Sequence, residues 1–395
     1  MTISQTDYYQ SRNLHPDGLS DAGGDALKKH FTIRENLYRN LLNIPLGLLA
    51  GAEVLEVGCG TGENALFLAG KGANLTLVDP DPTVIPLLER NFADRGLGDR
   101  VRGISTATFE NFKADDETFH LVTAEGFLFT LADRDRALRK ICALIRPGGL
   151  GIISFPDRFG SFFEFLKKAA LWRAYQLAGI SDLHGAQALA LAQDLLGHAH
   201  AGLPSPRPFA VWWEDCLVSP FLTWDHCWDY GEILGIIGGA GCRYYASSPR
   251  MHEADARAWY KETKTPEELS QRILSRCRER RFDLLFGCRA GIADGTIEAA
   301  IIADTFENIL KKWSEWFTGL DHPMPQTGLG PAKAALEKSA VPVDVLADLE
   351  RFFTVLGAAT ADDLVHDYNG LTALRSAWGH SLQFLCFTKD AVSGG

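Results

Sequence analysis

Between residues 52 and 155, short runs rich in Val, Leu and Ile alternate with segments of helical periodicity. EVLEVG (53–58), NLTLVD (74–79), RVRGIS (100–105), FHLVTAEG (119–126) and LGIISF (150–155) read as strands. ENALFLAGKG (63–72), PTVIPLLERNFADRG (82–96) and DRDRALRKICALI (133–145) read as helices, the first stopped by a glycine. RPGG (146–149) reads as a turn. Strands separated by single helices imply a parallel sheet covered on both faces.

Outside this window the rhythm differs. Residues 1–50 begin polar and then carry Leu27, Phe31, Leu37, Leu41 and Leu42 at roughly helical spacing, which predicts one or two helices. Beyond Phe155, segments 161–179 and 184–202 read as helices, 203–209 as a Pro-rich loop, and 223–241 as a helix ending in glycines. CRYYASSP (242–249) and SLQFLCFTKD (381–390) read as two more strands. The expected fold is α/β, a seven-stranded, mostly parallel sheet with helices on both faces. A helical lid segment (1–50) leads into a core assembled from 51–156, 222–249 and 381–395. Two largely helical insertions, 157–221 and 250–380, form a cap. All nine tryptophans lie in the part after Phe155.

Composition narrows the partners. The formal net charge of -11 opposes broad binding to a phosphate backbone, so no nucleic acid is expected. The one dense basic run, RCRERR (276–281), would spread its charges around a helix and is interrupted by Glu279. No uncharged apolar run reaches the roughly 18 residues of a membrane span. The first residues lack the basic and apolar regions of a signal peptide. Eight cysteines include no CxxC pair, so no zinc module or thioredoxin-like motif is visible. His198 and His200 form an HxH pair without a third ligand at a characteristic spacing, and no metal is expected. The expected setting is a reducing cytoplasm. Assembly as a homodimer stays open.

The chemistry concentrates in Glu53-Val-Leu-Glu-Val-Gly-Cys-Gly-Thr-Gly-Glu-Asn, a strand running into a glycine turn and then a helix. Glycines permit a tight turn and a close approach by a ligand, and the N–H groups of a helix start can meet a carboxylate. Asp79, about 20 residues on, ends the second strand, where an acidic side chain can accept hydrogen bonds from both ribose hydroxyls. A dinucleotide fold shares this logic, but its fingerprint is GxGxxG. Here the spacing is GxGxG, with Glu63 where the third glycine would pack, and Glu56 precedes the turn. A carboxylate at Glu56 is unwelcome beside a pyrophosphate and suits a cationic ligand.

LEVGCGTG resembles the first motif of the class I (Rossmann-like) S-adenosylmethionine (SAM)-dependent methyltransferases. The resemblance covers about residues 53–155 and, more weakly, 223–248 and 381–389. It implies a methyl donor, SAM, that leaves as S-adenosyl-L-homocysteine. It places Gly58, Cys59, Gly60 and Gly62 at the methionine part, Asp79 at the ribose, and Pro80 and Asp81 beside the adenine, with Glu56 before the turn as a further cofactor-binding candidate. Leu121–Leu131 resembles the family's fourth-strand stretch, with Glu125, Gly126 and Phe127 lining the cofactor. LIRPGGLGIIS (144–154) resembles the turn before strand five. The family often has an acidic residue after strand three; this chain has Ser105, Thr106 and Ala107, which leaves Thr106 or backbone groups for the adenine. Phe129 replaces the usual His after strand four.

Three features remain for the acceptor. Tyr8 and Tyr9 form a lid or a surface turn. Trp212, Trp213, Trp224 and Trp228 form an aromatic pocket wall or a core. His226, at the start of the expected helix 223–241, is a candidate general base or a polar helix-start residue. The expected function is methyl transfer from SAM to the O, N or S atom of a small organic acceptor under a helical cap. A saccharide or other biosynthetic intermediate is the alternative acceptor. An NAD-dependent oxidoreductase, disfavoured by Glu56 and Glu63, and a non-catalytic SAM-binding protein are the other classes.

Overall fold

A computed structural model describes residues 4–15, 24–203, 207–251 and 265–390. The apolar run of Glu53–Val57 (β1) is buried along nearly its whole length, as a central strand covered on both faces must be. β1 pairs in parallel with Asn74–Val78 (β2) on one side and Phe119–Ala124 (β4) on the other. Val101–Ser105 (β3), Ile145–Pro156 (β5), Cys242–Ser248 (β6) and Leu382–Lys389 (β7) complete a seven-stranded sheet of order β3-β2-β1-β4-β5-β7-β6, in which β7 runs antiparallel to β6. This is the mostly parallel, Rossmann-like sheet expected from the sequence. Its helices include Gln5–Arg12 (α1), Gly24–Glu35 (α2), Glu63–Gly70 (α3), Ile85–Ala93 (α4) and Arg134–Leu144 (α5). Among the described residues no helix is long and apolar enough to cross a membrane.

Two local expectations are corrected. RPGG (146–149) is not a turn before the strand but part of β5. Phe119 pairs with Ile145 and Leu121 with Leu150, so the extra residues are absorbed as a bulge. Gly148 takes φ +75° there, a conformation that favours glycine. The expected helix 223–241 is only Tyr230–Gly238. Asp229 is extended (φ -130°, ψ 162°) and caps the helix by accepting from Glu232 N, so residues 223–228 precede the helix as turns. His226 therefore lies in a turn, not at the helix start.

The chain divides into two compact units. The first holds residues 1–155, 228–277 and 383–395, and with them the sheet. The second holds 156–227 and 278–382 and is built from helices. Its centre is Phe162–Leu177, a helix buried on nearly every side. Phe162 meets Phe306 edge-on at 4.5 Å and stacks near Trp313 at 6.2 Å, contacts worth about 0.5–1.5 kcal/mol each beyond their buried area.

Two lysines lie fully buried in that helix. Lys167 Nζ donates to Ala377 O at 2.6 Å and sits 3.9 Å from the centre of the Trp378 ring. Lys168 Nζ donates to Ser219 O at 2.9 Å and faces the rings of Trp172 and Phe317. Burial lowers the Lys167 pKa against the pull of Glu164, and burial raises that of Glu164. Burial brings Lys168 down from 10.5 to about 7. Below about pH 7 both the native and the unfolded protein carry this proton. Between there and 10.5 only the unfolded chain does, so stability from this group rises with pH across that window. The buried thiols, whose pKa values burial raises, act in the opposite direction, so the difference between variants is the test: urea unfolding is expected to show the protein gaining stability relative to Lys168→Met between pH 7 and pH 9.5. An equal slope in the variant would assign the effect to other groups.

Candidate functional site

The glycine turn follows the carboxyl end of β1, the edge at which open α/β sheets receive ligands. Gly58 N donates to Val78 O at 2.7 Å, which ties the turn to β2. Gly58 has φ +71°, and a Cβ there would stand 2.8 Å from the Phe127 ring. Glycine is therefore required twice, by the backbone and by the ring packed on it. Phe127, from the stretch after β4, and the turn after β1 are brought into direct contact.

Asp79 holds the turn from the other side. Its Oδ2 accepts from Gly60 N at 2.8 Å and its Oδ1 from Asp81 N at 3.0 Å. Burial raises its pKa, and the Asp81 and Gly60 N–H groups oppose that shift. Asp79 N donates to Ser105 O, so the end of β3 adjoins the same carboxylate. Asp81 is buried and accepts at Oδ1 from Thr83 N, Thr83 Oγ1 and Gln10 Nε2. Cys59 is buried, and burial, then the charges of Asp79 and Glu56, raises its pKa; its thiol keeps its proton. Pro80 is half-buried, Thr106 is exposed, and Ala107 N bonds back to Ser105 Oγ. Beneath the turn, Thr61 Oγ1 donates to Glu63 Oε2 at 2.5 Å and Asn91 Nδ2 donates to Thr61 O, so Glu63 closes the start of α3.

The charge balance of the site is unusual. Glu56 is buried in β1. Glu125, at the end of β4, receives Arg34 of α2 through both oxygens, at 2.5 and 2.6 Å. Burial works against the Arg34 charge, but Glu125, Tyr38 and Glu56 overcome it and raise its pKa. Two carboxylates thus face one guanidinium. Around Gly60 and Gly126 a Cβ would meet nothing within 4 Å, so open space adjoins this negative region. The donor set fits a cationic ligand with hydroxyl groups for Asp79.

α1 spans both sides of the site. Gln5 Nε2 donates to Gly126 O at 3.3 Å, and Gln5 Oε1 accepts from Thr130 Oγ1 at 2.9 Å. Five residues on, Gln10 reaches Asp81 at 3.1 Å. Tyr8 is buried and Tyr9 half-buried on this helix, with Tyr9 OH accepting from Gln5 Nε2. Gly126 N is fixed by Ser154 Oγ of β5 at 2.9 Å.

The remaining candidates belong to the second unit. Trp212 and Trp213 are core residues, Trp213 donating through Nε1 to Tyr175 OH at 2.8 Å. Trp224 is half-buried, with Arg158 and Lys311 each 5.2 Å from its ring centre. His226 Nδ1 lies 2.7 Å from Thr223 Oγ1.

Sequence reasoning missed Arg34, Gln5, Gln10 and Ser154. A signal for Arg34 was present: Leu27, Phe31, Arg34 and Tyr38 share one helical stripe, with a charge where an apolar residue is expected. Arg34→Met is expected to leave half-buried Glu125 without this partner, costing about 2–4 kcal/mol, somewhat below the cost of breaking a fully buried pair. The double variant Arg34→Met, Glu125→Leu is expected to recover most of it in urea unfolding. A double variant no more stable than Arg34→Met would contradict the pairing account.

Residues 54–149 match the family model described as a methyltransferase domain. The chain is 36% identical over 120 residues to a ubiquinone biosynthesis O-methyltransferase of Methylobacterium sp. (strain 4-46), covering 30% of this chain and 47% of that protein. It is 30% identical over 118 residues to the human thiol S-methyltransferase TMT1A, covering 29% and 47%. The chain thus spans about half the length of these relatives. Among solved structures it is similar to CrArsM, an arsenic (III) S-adenosylmethionine methyltransferase from Chlamydomonas reinhardtii, at 25% identity and a TM-score of 0.25 over 28% of this chain and 40% of that one.

Proposed function

We propose that this chain, whose residues 54–149 match a methyltransferase domain, is a class I SAM-dependent methyltransferase that moves a methyl group from SAM to the oxygen or sulfur of a small organic acceptor, releasing S-adenosyl-L-homocysteine. The observation that carries the reading is the Gly58–Gly62 turn held by Asp79 beside buried Glu56. SAM brings a methyl group already activated on a sulfonium. What the protein then supplies is alignment and exclusion of water. Asp79 is oriented by two backbone N–H groups and presents its remaining lone pairs to the ribose hydroxyls. Buried Glu56 and half-buried Glu125 border the place proposed for the cationic end of the donor. Phe127 and Gly58 set one wall, and α1, with buried Tyr8, covers the place from Gly126 to Asp81. An oxygen or sulfur acceptor is supported by the relatives whose names give O- and S-methyl transfer. The Trp- and Phe-rich second unit lies outside the matched domain.

Calorimetry is expected to show SAM binding and no comparable binding of NAD. Asp79→Ala is expected to weaken SAM by about 10- to 100-fold, on the order of 1.5–3 kcal/mol, with the far-ultraviolet spectrum retained. Methyl-labelled SAM offered with a panel of phenols, quinols and thiols is expected to label at least one class. Tight NAD binding without SAM binding would overturn the assignment. SAM binding with no transfer to any acceptor would make the protein a non-catalytic binder.

A further inference from the structure

The basic run RCRERR (276–281) spreads its charges around the helix Pro266–Phe286, as its sequence implies, and one of them meets a cavity. Arg281 turns to Asp294, at 3.3 Å. Arg280 instead shares a face with Asp283 and Leu284, at i, i+3 and i+4, and all three line a cavity of about 310 Å³. The remaining walls are pinned to this face. Gly287 follows the helix with φ +64°, and a Cβ there would strike Trp378 O, so only glycine lets the two backbones touch. His380 N, two residues on, donates to Leu284 O at 2.8 Å. Asp283 Oδ1 accepts from Ala290 N at 2.8 Å, which folds residues 287–290 back and brings Cys288 and Arg289 into the lining. All of these residues belong to the second unit.

The walls are rich in donors. Arg280, Arg289 and His380 line the cavity, and Leu284 is the one aliphatic side chain among the lining residues. Asp283 is the one carboxylate among them, and both its oxygens are engaged: Oδ1 by Ala290 N, while Oδ2 lies 3.9 Å from Arg280 Nε. Among the described residues Arg289 has no acidic partner. We propose that this cavity binds a small phosphate monoester, its phosphoryl oxygens held by the guanidinium forks of Arg289 and Arg280, with His380 as a third donor. A guanidinium offers parallel N–H groups that match two phosphate oxygens. Two guanidiniums and an imidazole offer more donors than the two oxygens of a carboxylate can accept. A phosphate monoester presents three terminal oxygens and a charge of about -2 near pH 7. The volume stands at the lower end of small-ligand sites, roughly 300–1,000 Å³, which leaves room beside the phosphate for a small polar body. The formal net charge of the chain is -11, so its overall field does not draw anions here and the local donors must.

The site does not rest on the methyl-donor reading and is tested without SAM. Calorimetry of the full chain with glycerol 3-phosphate is expected to show saturable binding at one site, with acetate much weaker. Arg289→Met is expected to weaken the phosphate ester about 10- to 100-fold, the loss of one forked, charge-assisted contact. Arg289→Lys, which keeps the charge but not the fork, is expected to fall between that variant and the parent. Arg278→Met, at an exposed arginine of the same run that does not line the cavity, is expected to change nothing. Glycerol 3-phosphate is also expected to slow alkylation of Cys288 by iodoacetamide, followed by peptide mass spectrometry, and this protection is expected to fade in Arg289→Met. Circular dichroism checks that each variant keeps its fold. No saturable binding, acetate bound as tightly as the phosphate ester, or equal weakening by Arg289→Met and Arg278→Met would overturn the proposal. So would binding that leaves Cys288 alkylation unchanged.

Discussion

The candidate site depends on one carboxylate. Asp79 closes β2 and receives the backbone N–H of Gly60 from the turn after β1 and of Asp81 from its own chain. A half-buried carboxylate is most stable when its oxygens are satisfied, and here the partners are the loops that must be held. The bonds do two things together. They fix the glycine turn against the second strand, and they aim the carboxylate along the carboxyl edge of the sheet.

The surroundings follow from that edge. Phe127 packs on Gly58 from β4's side, Asp81 and Gln10 close the β2 side, and Gln5 ties the start of α1 to Gly126. Arg34 balances Glu125, and the charge of Glu56 also acts on it.

Much of the sheet was legible because its strands are short runs of Val, Leu and Ile between helices, and a buried strand needs little else to declare itself. The limits were local. A bulge with Gly148 and a turn with two glycines look alike in sequence, since both need positive φ; only pairing with β4 separates them. Asp229 looked like one residue within a helix because capping depends on its extended backbone. The glycine turn and Asp79 could be placed from spacing along the chain. Arg34 could not be paired from spacing: its partner, Glu125, is 91 residues away. The role of Gln5 and Gln10 likewise needs the helix to lie across both loops. In the second unit the tryptophans carried no such periodic code, and Trp212 and Trp213 lie in the core.

Hydrogen–deuterium exchange of the full chain with and without SAM tests the central claim most directly. The account predicts slower exchange on adding SAM at Gly58–Gly62, at Asp79–Thr83, around Gly126 and in α1, with β6 and β7 little changed. Slower exchange confined to segments outside these four, or no change at saturating SAM, would contradict it.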